Sequence, residues 1–231
     1  MDLLDRLRFF GPADGIALVL LVLAWLVIDW LIERPNAKRL SVTVLMADYR
    51  REWMKQFPTR DPRIFDATIL GSLREGTSFF ASACLIALGG GLALIGNTER
   101  LLGVAEDFSL DAPVVIWEAK ILLILAFLAN GFLKFMWANR LFGYCAVVMA
   151  SAPNDESALA YGRAAKAAEI NIRAARSFNR GLRAMYFALA AMAWLLGPVA
   201  LILATALTLL VLWRREFASH SRTILLEGRT P

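Results

Sequence analysis

Four long apolar runs, at about 15–32, 77–96, 114–137 and 184–213, decide what this chain can fold into. Each is close to or beyond the roughly twenty residues that a helix needs to cross a bilayer's hydrocarbon core. No water reaches that layer, so the backbone must satisfy its own N–H and C=O groups, and a helix does so within one segment. With 58% of 231 residues hydrophobic and gathered in four blocks, the composition is not that of a soluble domain. The expected fold is an all-α integral membrane protein with four transmembrane helices and long amphipathic cytoplasmic helices. One membrane domain over residues 1–231 is expected, since no stretch of mixed composition is long enough for a second core.

The net charge of +5 is concentrated in two segments. Arg34, Lys38, Arg39, Arg50, Arg51, Lys55, Arg60, Arg63 and Arg74 lie between the first two runs. Arg140, Arg163, Lys166, Arg173, Arg176, Arg180 and Arg183 lie between the last two. The short connection between the second and third runs sets Arg100 against Glu99, Glu106, Asp107 and Asp111. The positive-inside rule then places both basic segments in the cytoplasm, and the acidic connection and N-terminus outside. Orientation and acidic lipid headgroups account for the basic residues more cheaply than nucleic acid does. Membrane lipids are therefore expected partners, and nucleic acid is not. The first run is expected to persist as a helix, because Asp2 and Asp5 sit among Arg6 and Arg8 and no small-x-small cleavage site follows. Cys84 and Cys145 have neither disulfide nor metal-site spacing, and the single histidine, His220, is far from any carboxylate cluster. No catalytic set, metal or cofactor is expected, which makes a membrane enzyme the least favoured class.

Cytoplasmic helical regions are expected at about 41–75 and 140–183. From Ser41 to Phe57, Val44, Trp53, Met54 and Phe57 recur at helical spacing opposite Arg50, Arg51 and Lys55, and Pro58 ends the helix. Asp61-Pro62 offers a capping carboxylate and a first-turn proline for a helix running through Asp66, Arg74 and Glu75 into the second span, with a bend near Gly71 or Gly76. In that span Ala83, Ala87 and Gly91, with Gly89, Gly90 and Gly96, suit close helix packing. Leu141 to Ala150 is too short to cross and reads as a helix lying in the interface. Asn154, with Asp155 and Glu156, then starts an alanine-rich helix feeding the fourth span. That span carries a hinge, Gly197 and Pro198, at its centre. Length favours one tilted, kinked helix with the C-terminus outside. The competing pair of half-helices, about fifteen residues each, would keep Arg214, Arg215, Arg222 and Arg229 in the cytoplasm.

Ionisable residues within spans are functional candidates because burying them costs a few kcal/mol. On the third span, Lys120, Ile124, Phe127, Gly131 and Lys134 share a stripe. Lys120, Asn130 and Lys134 are candidate pathway residues, against the plainer reading that both lysines snorkel or pair. Asp29 is placed to pair with Lys134, and Asp14 or Glu118 with Lys120. Arg63, Asp66 and Arg74 are candidates for a cytoplasmic pore mouth, against the alternative of an ion-pair network fixing one helix on another.

Two stretches carry a family resemblance: RDPRIFDATILGSLREGTSFFASACLIALGGGLALIG at Arg60 to Gly96, and FNRGLRAMYFALAAMAWLLGPVALILATALTLLVLWRREF at Phe178 to Phe217. They resemble the membrane family called domain of unknown function 599, over nearly the whole chain. The resemblance implies a four-span bacterial protein of the inner membrane and transfers no catalytic residue. The expected function is a homo-oligomeric channel or transporter for an ion or small polar solute. The alternative is a non-transporting scaffold that binds anionic lipid or a partner protein through its basic cytoplasmic helices.

Overall fold

The computed structural model describes residues 10–35, 38–97, 103 and 114–227. The acidic connection (Glu99, Arg100, Glu106, Asp107, Asp111), the N-terminal Asp2, Asp5, Arg6 and Arg8, and Arg229 lie outside the described residues. Among the described residues the regular structure is helical throughout. The order is α1 (Pro12–Glu33), α2 (Val42–Gln56), α3 (Ile64–Ile95), α4 (Val114–Ala150), α5 (Ala158–Met192), a 3-10 turn (Ala193–Leu196), α6 (Pro198–Phe217) and α7 (His220–Leu226). Four helical segments are long and apolar enough to cross a membrane: α1, α3, α4 and Pro198–Leu226.

The chain divides into two compact units. An apolar unit takes in the described parts of Met1–Trp30, Ala83–Gly131 and Leu182–Trp213. A basic unit takes in those of Leu31–Ser82, Phe132–Gly181 and Arg214–Pro231. In the apolar unit, Trp25 meets Phe127 edge-on at 5.3 Å and Phe127 stacks on Phe187 at 6.1 Å. A second cluster joins Trp117, Ile121 and Leu125 to Leu88 and Leu195. Gly91 is where α3 touches α4, since a Cβ there would stand 2.5 Å from Leu125 Cδ2. One of the predicted small residues thus does the close packing inside the protomer.

In the basic unit, α2 starts where the sequence places it. Ser41 accepts from the Val44 amide at 3.2 Å and donates to the Ile32 carbonyl at 2.6 Å, so one hydroxyl caps α2 and fixes it to the end of α1. Alanines of α5 (Ala164, Ala167, Ala168) leave room for Phe142, Cys145 and Met149 of α4, and Met54, Phe57 and Leu70 close the same cluster.

Four expectations change. The alanine-rich helix α5 starts at Ala158, behind Ser157, whose Oγ accepts from the Ala160 amide at 3.2 Å, and not at Asn154. The other three concern α3, α4 and the fourth run. First, α3 begins at Ile64, not at the Asp61-Pro62 cap: Asp61 is exposed and caps nothing. The entry is set instead by Arg63, whose guanidinium donates to the carbonyls of Pro58 (3.3 Å), Ala152 (3.0 Å) and Pro153 (2.7 Å). Second, the third span and the predicted interfacial helix Leu141–Ala150 are one helix, α4. Ala138, Asn139 and Arg140 supply no glycine or proline to stop it, and its far end is buried through Phe142, Cys145 and Met149.

Third, the fourth run is not one kinked helix. Gly197 adopts φ 116°, a conformation costly for any residue with a Cβ, and Pro198 starts a new helix. Within the apolar unit, Arg183 pairs with Asp29 near the end of α1, and Trp194 Nε1 donates to Asp14 at its start (2.7 Å). Leu182 to Trp194 therefore runs antiparallel to α1. The run leaves the basic unit after Gly181 and rejoins it at Arg214. In the basic unit Arg39 donates to the Phe217 carbonyl (2.6 Å) and Arg222 to that of Leu40 (2.8 Å). With the break at Gly197, Arg214, Arg215 and Arg222 fall in the same unit as the first basic segment.

Two glycine substitutions separate packed from open positions. A Cβ at Gly181 would lie 2.7–2.9 Å from the ring of Phe135, which is fully buried and stacked on Phe80. Gly181→Ala is expected to cost about 1–3 kcal/mol by overpacking. At Gly71 a Cβ meets nothing within 4 Å. There Gly71→Ala is expected to be neutral or to add up to about 1 kcal/mol through helix propensity. Unfolding followed in detergent checks both signs.

Candidate functional site

In the apolar unit Lys120, Asp14, Asp29 and Arg183 are each held by a neighbouring group. Lys120 is 7% exposed and its ammonium lies 5.4 Å from the Trp117 ring and 5.8 Å from that of Trp194. Asp14, one of its two predicted partners, acts on it electrostatically and accepts the Trp194 indole N–H. Together these groups make a caged cation at the start of α4. Phe127 and Gly131, on the same stripe, are buried too. Glu118, Asn130 and Lys134 are half-buried; Lys134 is tied to α5 through its carbonyl, which accepts from Ser177 Oγ at 2.8 Å.

Asp29 is paired, but with Arg183 rather than the predicted Lys134. The pairing is bound to the correction of the fourth run. Taken as starting at Ala184, that run leaves Arg183 among loop charges; in fact α5 carries Arg183, 3% exposed, into the apolar unit beside α1. One turn earlier in α5, within the basic unit, Arg180 makes a two-pronged contact with Glu33.

The basic unit brings Arg63, Asp66 and Arg74 to one cavity of about 370 Å³, walled by Phe57, Leu70, Gly71, Ala146 and Met149. Arg63 immediately precedes α3, and spacings of three to Asp66 and eleven to Arg74 return to similar angles round the helix. Their roles differ. Asp66 is fully buried, and its Oδ1 accepts from Trp53 Nε1 (2.5 Å) and Arg60 (2.7 Å). Arg63 lies over the Phe57 ring at 4.3 Å while clamping three carbonyls. Beside them, the Ser157 side chain and amide hold Asp155 below the usual carboxylate range, with Arg63 adding to the effect. Arg74 is exposed and reaches Asn139 only at 3.5 Å. Asp66 is thus paired with Arg60 while Arg63 holds carbonyls, and Arg74 alone of the three is exposed.

The neighbouring face of α3, about 100° round the helix, is a different matter. In the basic unit it exposes Thr68, Ser72, Glu75, Phe79 and Ser82 at alternating spacings of four and three. In the apolar unit the continuation exposes Ile86, Gly89, Gly90 and Ala93. Cβ atoms at Gly89 and Gly90 would meet nothing within 4 Å. Only 11% of the most apolar window of α3 is buried, against 28% in α1 and 33% in α4. Of the four apolar segments α3 is thus the least covered, with Pro198–Leu226 next at 17%. Its outer face mixes polar side chains and glycine with large apolar ones such as Phe79 and Ile86. Sequence reasoning noted the glycines but not the stripe; the three-four recurrence of Thr, Ser and Glu was the available signal.

The Asp29–Arg183 pair gives a direct check. Asp29→Leu and Arg183→Met are each expected to cost about 3 kcal/mol by stranding the partner, and the double variant to recover most of it. Thermal unfolding in detergent measures this cycle; additive losses would contradict the pairing.

A family model described as "Protein of unknown function, DUF599" matches residues 16–221. No curated protein matches the chain, and no solved structure does.

Proposed function

The chain belongs to the DUF599 family, and on the strength of the outer face of α3 we propose that it is a homo-oligomeric membrane channel or transporter for an ion or small polar solute. The observation that carries this reading is the uncovered stripe Thr68, Ser72, Glu75, Phe79 and Ser82, polar at four of its five positions and followed by bare glycine at Gly89 and Gly90. Thr68, Ser72 and Glu75 belong to the cytoplasmic forerunner of the span and face water there. Lipid gives no return for Ser82 or for bare glycine at Gly89 and Gly90, whereas a second helix or a column of water does. Copies of α3 facing a common axis would satisfy both needs: the glycines allow close approach, and the hydroxyls and carboxylates meet water. Glu75 from each copy would form a carboxylate ring, which favours cations.

The basic segments belong in the cytoplasm on this reading, of the bacterial inner membrane in the resemblance the sequence carries, and the return at Gly197 puts the C-terminal arginines there as well. Lys120, Asn130 and Lys134 then serve the packing of the bundle rather than the route.

Both native cysteines are buried, so a cysteine at residue 82 is the accessible thiol. In liposomes loaded with potassium or chloride salts, Ser82→Cys protein is expected to react with a membrane-impermeant thiol reagent and lose most of its flux. Leu203→Cys, on an exposed apolar position of α6, is expected to resist the reagent. Glu75→Gln should lower the preference for cations. Lack of flux for every ion tried, with Ser82→Cys inert, would overturn the reading in favour of the lipid- or partner-binding scaffold.

A further inference from the structure

The basic unit contains a second, more polar cavity, of about 240 Å³, between α2, α5 and the last turn of α6. Arg50 and Arg176 both line it, with Thr43, Asn179 and Glu216. Arg50 bonds Asn171 Oδ1 of the fully buried Asn171, and the thiol of Cys145 is the other group that acts on it. No carboxylate stands against it among the described residues, and burial pushes its guanidinium below the ordinary value. Arg176 is half-buried and has no side-chain partner among the described residues. Buried charges are normally paired, because desolvation is otherwise uncompensated. Two half-buried guanidinium groups that line one cavity with no ion-pair partner among the described residues suit an oxyanion, whose geometry matches their forked donors.

Glu216 refines the chemistry. Its Oε2 accepts from the Thr43 amide and its Oε1 from Thr43 Oγ1, both at 3.0 Å, and Asn179 Nδ2 reaches Thr43 Oγ1 at 3.3 Å. A carboxylate fixed on the wall repels an anion without protons and accepts a hydrogen bond from one that keeps a P–OH. We propose that this cavity binds a phosphate group, held by Arg50 and Arg176 and selected over sulfate by Glu216. Two arginines against one carboxylate leave a site charge of +1, and the carboxylate supplies the acceptor that protonated phosphate needs. The binding site is separate from the α3 face and does not depend on transport.

Titration calorimetry with the purified full chain in uncharged detergent at neutral pH tests it, with inorganic phosphate and sulfate as probes. Phosphate is expected to bind saturably and sulfate at least about tenfold more weakly, the scale of one charge-assisted contact. Arg176→Gln, which breaks no contact among the described residues, is expected to weaken phosphate about tenfold or more. Glu216→Gln is expected to bring the two anions close together. Phosphate binding by Arg176→Gln at wild-type strength, or unchanged discrimination in Glu216→Gln, would overturn the assignment. Repeating the titration in phosphatidylglycerol and phosphatidylcholine nanodiscs identifies the source. Competition by phosphatidylglycerol alone, lost in Arg176→Gln, supports a lipid headgroup; undiminished phosphate binding supports a soluble phosphate. Absence of both phosphate binding and such competition refutes the site.

Discussion

Hydrocarbon offers the backbone no hydrogen bonds, and every other feature of this chain follows from that constraint. It forces each apolar run into helix and permits a break only where the chain has a reason to pay for one, as at Gly197-Pro198. Once the runs are helical, length does the rest: α3, α4 and α5 are 32, 37 and 35 residues, too long to be spans alone. Each contributes residues to both compact units. Apolar sequence at one end and basic sequence at the other thus belong to one helix.

Ionic groups are distributed accordingly. In the apolar unit each of Lys120, Asp14, Asp29 and Arg183 has a neighbour that offsets its charge or fills its hydrogen bonds. Such pairs are expected to specify which helices lie together more than to add stability, since desolvation consumes most of the attraction. In the basic unit the charges do more varied work. Asp66 gathers Arg60 and Trp53, Arg63 clamps carbonyls, and Arg50 and Arg176 hold positive charge beside a cavity without a balancing carboxylate of their own.

Much of this was legible in the sequence. The first three apolar runs, the amphipathic helix beginning near Ser41, the continuity of α3 with its basic forerunner and the grouping of Arg63, Asp66 and Arg74 all follow from periodicity and spacing. The errors have a common physical origin, which is that partners distant in sequence decide local outcomes. Asp61-Pro62 is a good cap by pattern, yet three carbonyls contributed by Pro58, Ala152 and Pro153 set the start of α3. Length alone favours one helix through Gly197, yet contacts of Arg39 and Arg222 with opposite ends of the chain accompany the turn. Asp29 was recognised as needing a cation, but choosing Arg183 over Lys134 requires knowing that α5 enters the apolar unit beside α1.

The least covered of the four apolar segments, α3, also exposes bare glycine at Gly89 and Gly90 beyond Ser82. Association of several copies through α3 is the central claim. Native mass spectrometry of the protein released from mild detergent tests it most directly. The account predicts a defined assembly at a whole-number multiple of the chain mass, dissociating when Gly89 and Gly90 are replaced by bulky leucine. A chain that runs as a single copy across detergents and concentrations would contradict it.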